Sequence, residues 1–208
     1  MIPLPNIAEL KRITKSLATL DLMICPEWEE RYYSFDSNWS ETEEMASMRN
    51  GCGDDWFILF GASGFAGIKG LAHESPAARD ADRVRRIRAA LPREFDGFAN
   101  EPAFHWESTG FCYWRPAGDD SWHEEPEQAN TETGAEVLLS VLSDPCAGYL
   151  QFASDYYEIE IEVDRSLVEH ILAHHPVTPE IVEALNPEIG LEDIQEALEQ
   201  VGYPNENE

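Results

Sequence analysis

Trp56-Phe57-Ile58-Leu59-Phe60 is an unbroken apolar run set between two glycine-bearing stretches. Met48-Arg49-Asn50-Gly51-Cys52-Gly53-Asp54-Asp55 leads into it. Gly61, Gly64 and Gly67 lead out of it to a second apolar piece, Ile68-Lys69-Gly70-Leu71. A strand with one wet face alternates apolar and polar residues, so an unbroken run predicts a strand buried on both faces. Two such runs joined through glycines predict a hairpin. The rest of the chain must then cover each side of a sheet.

The flanking patterns offer that cover. Ile7, Leu10, Ile13, Leu17 and Leu20 recur at helical spacing, with Lys11, Arg12 and Lys15 on other faces. Asn6 with Glu9 resembles a capping pair, and Pro26 ends the helix after Cys25. Residues 31–36 are aromatic-rich and free of glycine and proline, which predicts a strand. Ser40 with Glu43 offers a second capping signal and predicts a short helix through Met45 and Met48. Ser75-Pro76 opens a helix carrying Arg79, Arg83, Arg85, Arg86 and Arg88, read as a solvated face that pairs with acidic residues elsewhere.

Residues 92–106 read as an irregular segment pinned by Phe95, Phe98, Phe104 and Trp106, and 109–115 as a strand. Residues 116–130 form an acidic surface loop. Val137, Leu138, Val141 and Leu142 then define a helix, with Thr131 or Thr133 as its cap. Residues 148–163 are ambiguous. Their later half alternates Tyr157, Ile159, Ile161 and Val163 with Glu158, Glu160 and Glu162, the pattern of a half-buried strand. Three helices close the chain, starting at Asp164, Thr178-Pro179 and Leu191. This order predicts an α+β fold: a mainly antiparallel sheet with flanking helices and an acidic helical C-terminal segment. One domain over 1–208 is expected, with a mixed core in 1–115 and a mostly helical part in 131–208, because short helices are marginal alone.

Charge divides the chain more sharply than any motif. Of 14 basic and 41 acidic residues, 1–115 hold 13 and 18, a net of −5, whereas 116–208 hold only Arg165 against 23, a net of −22. Such a surface repels phosphates and anionic lipid, which argues against direct binding to nucleic acid or membrane and favours a basic protein partner. No run reaches the roughly 18 apolar residues of a membrane span. Without a basic start and apolar leader at the N-terminus, a cytoplasmic protein is expected. Cys25, Cys52, Cys112 and Cys146 lie far apart with no C-x-x-C pair and read as buried reduced thiols.

No complete catalytic motif is present. His73-Glu74, together with His105 and Glu107, offers the residue types of a small hydrolase with a His/Glu or metal site, provided the fold brings them within hydrogen-bond reach. His123 with Glu124 and Glu125 is a further loop pair. His170 and His174 stand four apart on a predicted helix, as two metal ligands would, but Ile171 occupies the place where H-E-x-x-H needs glutamate. No metal or other cofactor is expected. Cys52 sits in the glycine turn, where Asp54 and Asp55 work against a thiolate nucleophile. The glycines beyond form neither G-x-G-x-x-G nor a P-loop. Glu158, Glu160 and Glu162 are the candidate acidic binding face, and a row of carboxylates there also admits an acidic mimic of nucleic acid.

The order Tyr32-Tyr33-Ser34-Phe35, Trp39, Met48 to Asp54, Phe57-Ile58-Leu59-Phe60, Ile68-Lys69-Gly70 and His73-Glu74 resembles that of a group of uncharacterised bacterial proteins. Leu185-Asn186-Pro187 and Val201-Gly202-Tyr203-Pro204 are similar too. The resemblance implies a bacterial cytosolic origin and carries no activity, cofactor or catalytic residue. More loosely, size and acidity resemble bacterial immunity proteins that neutralise basic toxins. The function expected is therefore a non-catalytic acidic protein-interaction module, with the hydrolase and the nucleic-acid mimic as alternatives.

Overall fold

The computed structural model describes residues 2–157 and 163–204. Within them an antiparallel six-stranded sheet follows chain order: β1 (Tyr33–Asp36), β2 (Glu43–Arg49), β3 (Asp55–Gly61), β4 (Ala66–Leu71), β5 (Phe111–Arg115) and β6 (His123–Glu124). The helices are α1 (Ile7–Ile24), α2 (Arg83–Ala90), α3 (Asp96–Asn100), α4 (Ala135–Leu138), α5 (Pro145–Tyr156), α6 (Arg165–Leu172), α7 (Pro179–Leu185) and α8 (Leu191–Val201). This is the α+β arrangement expected, with the β3–β4 hairpin at its centre and Trp56 opposite Gly70.

The run from Trp56 to Phe60 is buried throughout because the sheet has a cover on each side. On one side Trp56, Ile58 and Phe60 join a core with Leu10, Leu17 and Leu20 of α1. Val168, Val182 and Leu198 of the closing helices belong to that same core. On the other side Phe57 and Leu59 meet Ile87, Phe95, Phe98, Phe104 and Trp106, so the irregular aromatic segment forms a second core. α1 starts as expected, with the Asn6 side chain accepting from the Glu9 amide at 3.0 Å. It is buried on more than its apolar stripe, since α5, α6, α7 and α8 pack against it as well as β1.

The expected helix through Met45 and Met48 is instead β2. The Ser40–Glu43 contact does form, with Ser40 Oγ donating to Glu43 Oε2 at 3.2 Å, but it closes the turn that precedes the strand. A local capping signal gives way here because 43–49 completes ladders with β1 and β3 at once. The arginine-bearing helix is also divided. Ser75 caps a single 3-10 turn, Pro76–Arg79, and Asp80 is extended before α2 begins. Residues 148–156 of the ambiguous stretch belong to helix α5, whereas the alternating Glu158, Glu160 and Glu162 lie outside the described residues. No helix among the described residues is long and apolar enough to cross a membrane.

Gly70 shows why the hairpin needs its glycines. A Cβ there would lie 2.3 Å from Phe111 Cζ and 2.7 Å from the carbonyl oxygen of Asp55, so both a buried ring and the β3 backbone would have to move. Gly70→Ala is expected to lower unfolding free energy by about 2–3 kcal/mol, the cost of overpacking a well-filled core. Urea denaturation measures this, and a change within error would show that Phe111 has room to retreat.

Candidate functional site

Asp21 stands where α1 passes beneath the start of β1, and it is wholly buried. Its Oδ2 accepts from the amides of Tyr32 at 3.1 Å and Tyr33 at 2.7 Å, while Oδ1 accepts from the Tyr149 hydroxyl at 2.8 Å. The carboxylate thus ties α1, the entry to β1 and α5 together, and places two tyrosines beside α5. Burial pushes its carboxyl up to about 7 against the pull of these hydrogen bonds.

Above this tie the rings pack on one another. Tyr32 lies 4.2 Å from Phe152 and 5.0 Å from Tyr156 between centroids, and Phe152 stacks on Tyr156 at 5.3 Å. With Val137, Val141 and Asn50 they line an open groove of about 500 Å³, within the size range of ligand and side-chain pockets. Val137 is 75% and Tyr156 39% exposed; with Trp28 they are the large apolar side chains that stay exposed among the described residues. Such clustering marks an interaction surface more than scattered exposure would.

The groove has an acidic neighbour. Asp155 lies on its rim, and a second depression of about 470 Å³ is lined by Cys25, Glu27, Glu30, Tyr157 and Glu188. Tyr156 links the two, lining the groove while its hydroxyl donates to the carbonyl of Glu30 in the depression at 3.4 Å. Arg31 serves the end of α1, donating from Nε to the Cys25 carbonyl at 2.9 Å and from its terminal nitrogen to that of Pro26. Glu27, Glu29 and Glu30 remain exposed. The surface is therefore apolar and aromatic in one half and anionic in the other.

The glycine turn forms the groove's far edge. Asn50 builds it: Oδ1 accepts from the amides of Cys52 at 2.8 Å and Asp54 at 3.0 Å, and Gly51 and Gly53 take positive φ. Cys52 is exposed here, unlike the buried thiol expected; Cys25 and Cys112 are buried and Cys146 is half-buried, and all four are free. Behind the turn His73 Nδ1 lies 2.7 Å from Asp54 Oδ1. Burial works to raise the Asp54 carboxyl, but hydrogen bonds from His73 and Asn50 outweigh it and hold the group below its usual range.

His73 and His105 contact different carboxylates. Successive residues of an extended chain point to opposite sides. Asp54 turns to His73, while Asp55 turns to Lys69, on the side where His105 and Glu107 make themselves felt. Glu74 Oε1 is 3.9 Å from His73 Nε2, farther than Asp54, and Glu107 Oε1 is 3.8 Å from His105 Nδ1. His170 and His174 use their Nε2 atoms on backbone carbonyls of Pro176 and Arg12, each at 2.9 Å. Among the described residues no three His, Cys, Asp or Glu side chains gather as a metal site would require. Part of the arginine expectation holds: Arg86 reaches Asp80 and Glu127. Arg83, however, is fully buried, its Nε donating to the Gly110 carbonyl at 2.6 Å.

The groove is not legible in the sequence because its walls come from residues 32–33, 50–52 and 137–156, which no local pattern connects. The dense aromatic and acidic mixture at Glu27-Trp28-Glu29-Glu30-Arg31-Tyr32-Tyr33 is the one signal that points there. Compared with known proteins, the chain matches no family, no curated protein and no solved structure.

Proposed function

We propose that this chain is a non-catalytic acidic protein-interaction module, immunity-like in manner, that binds a basic protein partner in the cytoplasm. The net charge of −22 over residues 116–208 carries the reading. Acidic fields speed encounter with cationic surfaces and discourage phosphate-bearing ligands. The exposed groove at Tyr156, with Glu27 and Glu30 beside it, supports the reading by offering a partly apolar landing place within that field. The pairing of His73 with Asp54 and of His105 with Glu107, rather than of the two histidines around one carboxylate, favours this reading over the hydrolase alternative.

Tagged protein is expected to retain a basic partner from its native host at low salt and release it at high salt, because exposed charge contacts are screened. Reversing charge with Glu27→Lys, Glu29→Lys and Glu30→Lys together is expected to slow association by about tenfold, within the range of electrostatic steering. Absence of any salt-sensitive partner would sink the proposal. Stoichiometric zinc or manganese in the purified protein would favour the hydrolase instead.

A further inference from the structure

We infer that the partner's docking segment is bipartite, seating an apolar side chain in the aromatic groove and an adjacent arginine or lysine in the acidic depression, on either side of Tyr156. This rests on the basic-partner reading. Three observations argue for a two-part occupant rather than a uniformly charged one. The exposed apolar surface of Val137 and Tyr156 faces the groove, where a charged side chain alone would leave it wet. The carboxylates that would receive a cation line the separate depression, at Glu27, Glu30 and Glu188. Tyr156 lines the groove and its hydroxyl reaches the carbonyl of Glu30, which lines the depression, so a single extended segment crossing that contact would meet apolar and then anionic surroundings.

The same part of the chain already carries such an arrangement in miniature. The Arg49 guanidinium lies 4.3 Å over the centre of Trp28, a cation seated on an exposed aromatic ring. A second copy of the chain is a poor occupant, since a net charge of −27 repels its like and residues 116–208 offer Arg165 alone as a cation.

The test uses short synthetic peptides titrated into the full chain and followed by NMR of backbone amides and aromatic rings. A peptide of repeated Leu-Arg pairs is expected to shift Tyr32, Phe152 and Tyr156 together with the amides of Glu27 and Glu30. Peptides with Ala for Leu, or with neutral citrulline for Arg, should bind about fivefold or more weakly, the value of roughly one apolar or cation–π contact. Tyr156→Ala should weaken the Leu-Arg peptide by a similar factor, whereas Tyr156→Phe should not, since the ring and not the hydroxyl does the seating. Equal binding of the Ala-Arg peptide, or salt-sensitive shifts confined to another face, would overturn the bipartite site and leave the basic-partner reading standing. Failure of every cationic peptide, joined to the absence of a salt-sensitive host partner, would remove both. Shifts of the groove residues that depend on protein concentration alone would assign the groove to a second copy and overturn the inference.

Discussion

Asp21→Ala is expected to destabilise the protein by about 4 kcal/mol, because it strips buried partners from several donors at once. The amides of Tyr32 and Tyr33 and the hydroxyl of Tyr149 all donate to this one carboxylate, which is wholly buried from bulk solvent. Each buried donor left unsatisfied costs about 1–3 kcal/mol, and the missing carboxylate leaves a small void besides. For a chain of this length the loss corresponds to a fall in melting temperature of about 10 °C. Asp21→Asn is the informative contrast. Its carbonyl oxygen keeps the two amide bonds, and its NH2 meets a tyrosine hydroxyl that can accept as well as donate. Calorimetry on both variants checks the pair of expectations; an alanine variant as stable as the asparagine one would show that the bonds contribute nothing.

The same residue sets a pH dependence of unusual sign. An ordinary aspartate, held ionised by partners, stabilises the fold above its unfolded pKa. Burial raises Asp21 to about 7 from a usual 3.8, so the folded chain holds a proton that the unfolded chain has lost. Its contribution is complete below the unfolded pKa and is lost as pH rises through about 7. The change is at most about 4 kcal/mol over that window. Glu9, Glu44 and Asp54 run the other way, since Arg12, Lys11 with Lys15, and His73 with Asn50 hold them below their usual values against burial. Their contributions fade only at lower pH, as each carboxylate takes up its proton. Stability is therefore expected to rise from about pH 8 to about pH 4 and to fall below that. Relief of repulsion within so acidic a chain adds to the rise in every variant. The diagnostic quantity is thus the difference in slope between wild type and Asp21→Asn in urea titrations, and parallel slopes would rule out Asp21 as the source.

These groups also mark where sequence reasoning runs out. The α1 stripe, the β3 run and the closing helices are legible because each pattern repeats within a few residues and burial follows the repeat. β2 escapes such reading because Ser40 and Glu43 do make their contact, and only pairing with β1 and β3 makes residues 43–49 a strand and not a helix. Asp21 stands between Leu20 and Leu22 with nothing local to show that its hydroxyl partner lies at Tyr149. Val137 matches a helical apolar pattern and is nevertheless the most exposed large apolar side chain of the groove. The features that stay hidden are consistently polar or apolar groups whose surroundings are assembled from distant segments, and the candidate site is built from little else.

Lys69→Met should be nearly as damaging as the loss of Asp21, about 3–5 kcal/mol near neutral pH. Lys69 is fully buried in β4, its Nζ 3.1 Å from Asp55 Oδ1 and 3.2 Å from the Ser108 carbonyl, with the ring centre of Phe57 at 5.1 Å. Burial pulls the ammonium pKa down and pushes the Asp55 carboxyl up, and each partner opposes the shift of the other. Methionine approximates the lysine stem in length and volume, so packing changes little and the lost element is the cation. Asp55 then retains a largely buried carboxylate with no compensating charge. The deficit should shrink on acidification, because a carboxyl raised in the fold holds its proton where the unfolded chain does not. Adding Asp55→Asn to Lys69→Met should recover at least half the loss, since removing the orphaned charge removes most of its cost. A double variant no better than the single one would place the loss in packing around Phe57 and Cys112 and not in the charge. A neutral Lys69→Met would mean that the pair's attraction does no more than offset the desolvation of its two ions.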